Sequence, residues 1–273
     1  MRIRELLFRL AKGYKNYRSP ILLQLQRLAG SEHVLVRDQR TGLGFKCRSG
    51  ADRMFGEVFH QRIYDCPFTP IRPSDVVIDI GANHGFASCY FAAQGAHVLA
   101  YEPSAEVFRL LLRNISANSL TARVVAMQVA VGAEDGEALL YETAALGGGM
   151  STLELAFAQN SGAQYATPST VAVTSIHNVL ASLASPTVRL IKMDCEGSEL
   201  AILREITSEE RRKIDALAVE FHPQAVSLQE LIGVLLRWEH FHLSLPTNLE
   251  HSPSILFAVS ERVIRAWGAG APA

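Results

Sequence analysis

The chain has 273 residues, 48% of them hydrophobic and 19% charged, which is enough apolar matter to bury a core and excludes global disorder. Lys and Arg total 26 against 27 Asp and Glu, a net charge of −1 that argues against a dedicated nucleic-acid binder. Four scattered cysteines (Cys47, Cys66, Cys89, Cys195) form no C-x-x-C pair, which counts against a zinc ribbon or redox dithiol and leaves a reducing, cytoplasmic setting as the expectation.

No run of 18 apolar residues occurs, so no spanning helix is expected. Residues 1–30 carry seven basic residues and one acid, leaving a net charge of −7 on the rest. Ile3, Leu6, Leu7, Leu10 and Tyr14 recur at spacings of three and four, so residues 1–28 read as a basic amphipathic helix broken near Gly13 and Ser19-Pro20. Such a helix packs on its own domain or lies peripherally on an anionic membrane. A hairpin follows, over 33–37 and 42–47, with Thr41-Gly42 in its turn. Residues 1–50 therefore read as an extension of helix and hairpin, and residues 53–62 as a helix.

After Pro73-Ser74 the pattern changes. Val76-Val77-Ile78-Asp79-Ile80 is a continuous apolar run of the kind a doubly covered parallel strand requires. Gly81-Ala82-Asn83-His84-Gly85 breaks it before a helix over 86–94. Strands at 97–101 and 123–129 follow, separated by a helix that Ser104 caps. Residues 132–173 read as an insertion or lid containing two strands and the flexible Gly147-Gly148-Gly149. A helix at 175–183 leads to strands at 188–193 and 214–221, with helices after Ser198 and Ser227. Two antiparallel strands at 240–245 and 254–259 close the sheet, and 268–273 form a frayed tail. The alternation predicts an α/β, Rossmann-like fold over 51–267, with a mostly parallel seven-stranded sheet and helices on both faces.

In such sheets ligands sit outside the carboxyl ends of the strands. Those ends carry Asp79 with Gly81 and Gly85, then Glu102, Gln128, Asp194 with Glu196, and Glu220 with His222. The first loop is G-x-x-x-G and not G-x-G-x-x-G. Asn83 stands where a dinucleotide fingerprint needs its second glycine, which counts against a nucleotide-dependent oxidoreductase. The loop and the next helix N-terminus suit a carboxylate-bearing ligand, or they form only a tight βα turn. Glu102 lies 21 positions beyond Gly81, the spacing of an acid that binds ribose hydroxyls.

These residues resemble the FkbM-type methyltransferases. The likeness rests on Val-Ile-Asp79-Ile-Gly81-Ala-Asn-His-Gly85, Tyr-Glu102-Pro-Ser, Lys192-Met-Asp194-Cys-Glu196-Gly197-Ser-Glu199 and Val-Glu220-Phe-His222, in that order, and extends over about residues 50–260. Ile176-His177-Asn178 departs from the Leu-Asp-Asp usual there. The resemblance implies a class I fold, S-adenosylmethionine as donor, and O-methylation of a sugar, glycolipid, polyketide or other secondary metabolite.

On this reading Asp79, Gly81, Asn83, His84, Gly85, Glu102, Gln128 and Asp194 hold the donor, His84 through its backbone. His222, Asp194 and Glu220 face the acceptor, with His222 as general base by residue type and Glu220 orienting it or the acceptor. No metal is expected; a divalent cation on Asp194, Glu220 and His222 is the alternative, without a close-spaced ligand motif behind it. Glu199 is expected in an ion pair. His240-x-His242 is left as an edge feature. A non-catalytic donor-binding module tethered by the N-terminal helix is the remaining alternative.

Overall fold

The computed structural model describes residues 30–143, 151–238, 241–244 and 255–269. The helix expected over 1–28, the three glycines at 147–149, His240 and residues 270–273 of the tail lie outside them. The expected hairpin is present as β1 (His33–Arg37) and β2 (Gly44–Arg48). It is tied to the body through amide side chains. Asn114 and Asn118 each accept a backbone N–H of β2, from Lys46 at 2.9 Å and Gly44 at 2.8 Å, and each donates back to the carbonyl of the same residue. The clasp satisfies an edge that would otherwise present open pairing groups.

The helix expected over 53–62 is α1 (Asp52–Gly56) followed directly by a π-helical turn, Glu57–Gln61, which ends at Arg62 with φ +54°. Just beyond this wider turn, the Tyr64 hydroxyl reaches Asp194 and Glu220; insertions of this kind recur at functional sites. Phe45, Phe55, Phe59 and Phe86 form one aromatic cluster, with centroids 4.8–5.9 Å apart, that joins hairpin, α1 and the next helix.

The main sheet comprises β3 (Val76–Ile80), β4 (His97–Tyr101), β5 (Val124–Met127), β9 (Leu190–Met193), β10 (Ala216–Glu220), β11 (Phe241–Ser244) and β12 (Ile255–Ser260). Its order is β5-β4-β3-β9-β10-β12-β11, parallel except for β12, which runs antiparallel to both neighbours. Apolar clusters cover both faces, as continuous apolar strands require. The helices are α2 (Phe86–Ala93), α3 (Ala105–Ala117), α5 (Ile176–Ala181), α6 (Glu199–Glu205), α7 (Ser208–Arg211), α8 (Leu228–Leu236) and α9 (Glu261–Gly268). Ser104 and Ser175 cap α3 and α5 with their hydroxyls. Ser198 precedes α6 without capping it; its hydroxyl donates to Glu154 instead. The helix α9 was not expected from the sequence.

The insertion folds as β6 (Ala130–Gly132), β7 (Gly136–Leu140), α4 (Leu155–Asn160) and β8 (Ser169–Ser175), with β8 between β6 and β7. It rests on the loop after β9: Thr152 Oγ1 donates to the Glu196 carbonyl at 2.7 Å.

The chain moves outward from β3 to β5 and then returns to β9, so the reversal of strand order falls between β3 and β9. At that seam the register places Asp79 opposite Lys192. Gly81, at φ +75°, ends β3 so close to β9 that a Cβ would stand 1.8 Å from the Asp194 carbonyl oxygen.

Candidate functional site

A cleft opens at the carboxyl ends of the seam strands. Met54, Ile80, Gly81, Asn83, Tyr101, Glu102, Val131, Leu140, Asp194 and Glu196 lie on its wall. Glu102 is buried at the end of β4. One carboxylate oxygen accepts the Asn83 N–H and the other the Ser104 N–H, each at 2.9 Å. Burial pushes its pKa up to about 7, against those two backbone donors. A carboxylate has about four lone-pair sites, so each oxygen keeps acceptor capacity toward the cleft.

Four other residues expected to hold a donor do not reach this wall. Asp79 is wholly buried, accepting the Ser88 hydroxyl at 2.6 Å and pairing with Lys192 at 3.0 Å. The His84 ring stacks on Phe86 and accepts the Arg48 N–H at 3.3 Å, facing the hairpin. Burial lowers its pKa to about 3, so it is neutral. Gly85 supplies a left-handed turn at φ +83° against Leu111 of α3. Gln128 is exposed outside the cleft.

Asp194 joins the cleft to a charged cluster at the ends of β9 and β10. The Tyr64 hydroxyl lies 3.1 Å from both Asp194 Oδ2 and Glu220 Oε2, bridging the two acids. Lys192 Nζ is buried, 3.0 Å from Asp79 and 3.5 Å from Asp194, and donates to the Gly81 carbonyl at 2.6 Å. Its neighbouring carboxylates outweigh the burial that would strip its proton and hold its pKa above the usual value.

His222 Nδ1 is 2.9 Å from Glu199 Oε1, while Nε2 faces Glu196 at 3.2 Å, Asp194 at 3.7 Å and Glu220 at 4.0 Å. Burial opposes its charge, but Glu199 and the other acids prevail and raise its pKa to about 10. The ring is therefore an imidazolium at neutral pH. That corrects the general-base role expected of it, since a protonated imidazole has no lone pair to offer. Burial and the nearby Asp194 push Glu220 up to about 8 and Glu196 well above the usual carboxylate range. Glu199 orients His222, in place of Glu220; its carboxylate also accepts the N–H groups of Cys195 and Gly197 at 2.9 Å. Asp194, Glu220 and His222 have ligand atoms within 4.8 Å of one another, near enough for a divalent cation.

Tyr64 and Lys192 have no assigned role in the sequence reading. Lys192 left a signal, a cation that together with Arg189 interrupts the buried run Val188–Met193, opposite an acid in another buried run. Tyr64 left none, because the π-helical turn that aims it has no local sequence signature.

The strand order, with one antiparallel strand and a cleft at its reversal point, defines a Rossmann-like class I methyltransferase fold. The family model described as "Methyltransferase FkbM domain" matches residues 79–242. The chain is 26% identical to 31-O-demethyl-FK506 methyltransferase FkbM of Streptomyces tacrolimicus over 213 residues, 68% of this chain and 80% of that protein. It is 24% identical to methyltransferase sdnD of Sordaria araneosa over 225 residues, 71% of this chain and 83% of the relative. Among solved structures, magnesium protoporphyrin IX methyltransferase of Synechocystis shares 13% identity at a TM-score of 0.40, over 76% of this chain and 78% of that one. The chain belongs to the FkbM methyltransferase family, and it is a methyltransferase. Among the described residues no helix is long and apolar enough to cross a membrane.

Proposed function

We propose that the protein transfers a methyl group from S-adenosylmethionine to a hydroxyl of a sugar, glycolipid or secondary metabolite. The observation that carries this reading is the junction at Asp194, where a cleft walled by Glu102, Gly81 and Asn83 meets a buried cluster of acids around one imidazolium. The name of the Streptomyces relative, a methyltransferase of 31-O-demethyl-FK506, supports the choice of oxygen.

The cleft fits the donor by its residues. Tyr101, Val131 and Leu140 give apolar walls suited to a flat base, and Glu102 offers acceptors to ribose hydroxyls. When bound, S-adenosylmethionine supplies an electrophilic methyl group. Glu102→Ala is expected to weaken donor binding by roughly 10- to 100-fold, the worth of about 1.5–3 kcal/mol for hydrogen bonds to a charged group. Calorimetry reads this directly, and unchanged affinity would remove Glu102 from the site.

This chain's own work is to position an acceptor hydroxyl and take its proton. The Asp194–Glu220 pair, bridged by Tyr64, accepts the proton. The His222 imidazolium, held by Glu199, offsets the acids so that the pair can ionise. Below about pH 8 Glu220 keeps its own proton, so kcat/KM is expected to rise with pH through that value. Above about pH 10 His222 loses its charge and leaves the acids unopposed, so activity should fall again. A profile that is already maximal at pH 6 would contradict the assignment. The reaction itself is tested with labelled donor against lipid, glycan and small-molecule fractions of a host extract. Label confined to amine or thiol products would refute O-methylation. The expected cytoplasmic or membrane-peripheral location stands as part of this proposal; a protein recovered outside the cell would refute it.

A further inference from the structure

A second cavity, of about 600 Å3, lies at the other end of the sheet. Arg211, Arg212, Arg237, Arg262 and Arg265 line it together with Ser260, and Glu261 is the sole acid on its wall among the described residues. The arginines come from the end of α7, the end of α8 and the first turns of α9. Ile214 in its lining stands two residues before β10 begins and six before Glu220 at its end, so the cavity stands roughly 20 Å from the charged cluster at about 3.3 Å per residue. It is therefore separate from the donor cleft and from the proposed acceptor site.

Three of the five guanidinium groups have protein partners. Arg262 pairs with Asp215 at 2.8 Å, Arg265 with Glu261 at 2.6 Å, and Arg211 lies over the Trp238 ring at 4.6 Å. Arg212 and Arg237 have no ion-pair partner among the described residues, and burial, with the charge of Arg237 added to it, lowers the pKa of Arg211. Like charges held this close favour an anion between them. Ser260 makes the second, independent point. It is 94% buried by its 6% exposure, its Oγ has no hydrogen-bond partner, and it lines the cavity. A buried hydroxyl without a partner costs free energy unless something in the cavity satisfies it.

We propose that this cavity is a binding site for a phosphate-bearing ligand, gripped by Arg212 and Arg237 and hydrogen-bonded by Ser260. Guanidinium forks match phosphate oxygens in pairs, and a cavity of this size holds more than a single inorganic ion. A phosphate group matches the sign of that charge. It can come from a soluble phosphorylated metabolite or from an anionic lipid headgroup.

The full-length protein is titrated with pyrophosphate by calorimetry, and sedimented with vesicles of phosphatidylcholine with and without phosphatidylglycerol. The expected result is binding of at least one of these anionic probes. The double substitution R212A/R237A should lower that affinity roughly 30- to 100-fold, about six- to tenfold for each arginine. Since neither guanidinium has an ion-pair partner among the described residues, and the Arg212 carbonyl that accepts from Arg262 is kept in alanine, the variant is expected to fold, and unchanged methyl-donor affinity checks that it does. Pyrophosphate binding without vesicle binding assigns a soluble ligand, and binding only to phosphatidylglycerol vesicles assigns a headgroup. Binding to neither probe overturns the proposal, as does vesicle or pyrophosphate binding that the double variant leaves intact.

Discussion

Replacing Lys192 by methionine is expected to destabilise the fold by about 3–5 kcal/mol, the usual cost of leaving a buried charge without its partner. Asp79 is wholly buried and Lys192 nearly so, and the two face each other in the register of β3 and β9. Removing the ammonium also frees the Ile80 and Gly81 carbonyls that it serves at the end of β3. Denaturant titration of the wild type and of K192M gives the difference. The companion variant D79N/K192M should recover a large part of the loss, because it deletes the charge that K192M strands. A change below about 1 kcal/mol in K192M, within the range of an ordinary surface substitution, would show that the pair is not what holds the seam.

The second large effect is catalytic. Glu220→Gln keeps the size of the side chain and a hydrogen bond to Tyr64 but removes its capacity to take a proton. A fall in kcat of roughly 10²- to 10⁴-fold is expected, the usual contribution of a positioned base. Donor affinity should be preserved, because Glu220 is not on the wall that Glu102 shares. The remaining activity should also lose its rise near pH 8, a change that mere loosening of the structure would not produce. An E220Q enzyme with full kcat would transfer the base role to Asp194 alone. One with lost donor binding would show that the cluster belongs to the donor's seat.

Much of the sheet was legible because its strands are continuous apolar runs with polar residues at their ends. Val76–Ile80 and Val188–Met193 could be placed for that reason, and the antiparallel pairing of the closing strands followed from their position after the last helix. The pairing partners of side chains were not legible. Asp79 reads as a strand-end acid like Glu102, yet one faces inward to Lys192 and the other lines the cleft. The difference lies in pleat and register, not residue type. The charge state of His222 was also hidden. Its type suggests a base, but four carboxylates, three from the segment 194–199 and one from the end of β10, converge on it and keep it protonated. Glu199 was expected in an ion pair, and that expectation holds, although only the fold reveals His222 as its partner. The helix α9 was missed because it begins at Glu261, directly after Ser260 ends β12, with no intervening turn residues to announce a new element.

The insertion touches the charged cluster at three points. Thr152 holds the Glu196 carbonyl, Glu154 accepts the Ser198 hydroxyl, and the Phe157 ring stands edge-on to His222 with centroids 5.7 Å apart. The parts that would recognise an acceptor and the parts that set its proton's fate are thus mechanically one piece. Exchanging the insertion for one that admits a different molecule would also retune the chemistry beneath it. In this architecture, a new substrate and a new pH optimum would tend to arrive together.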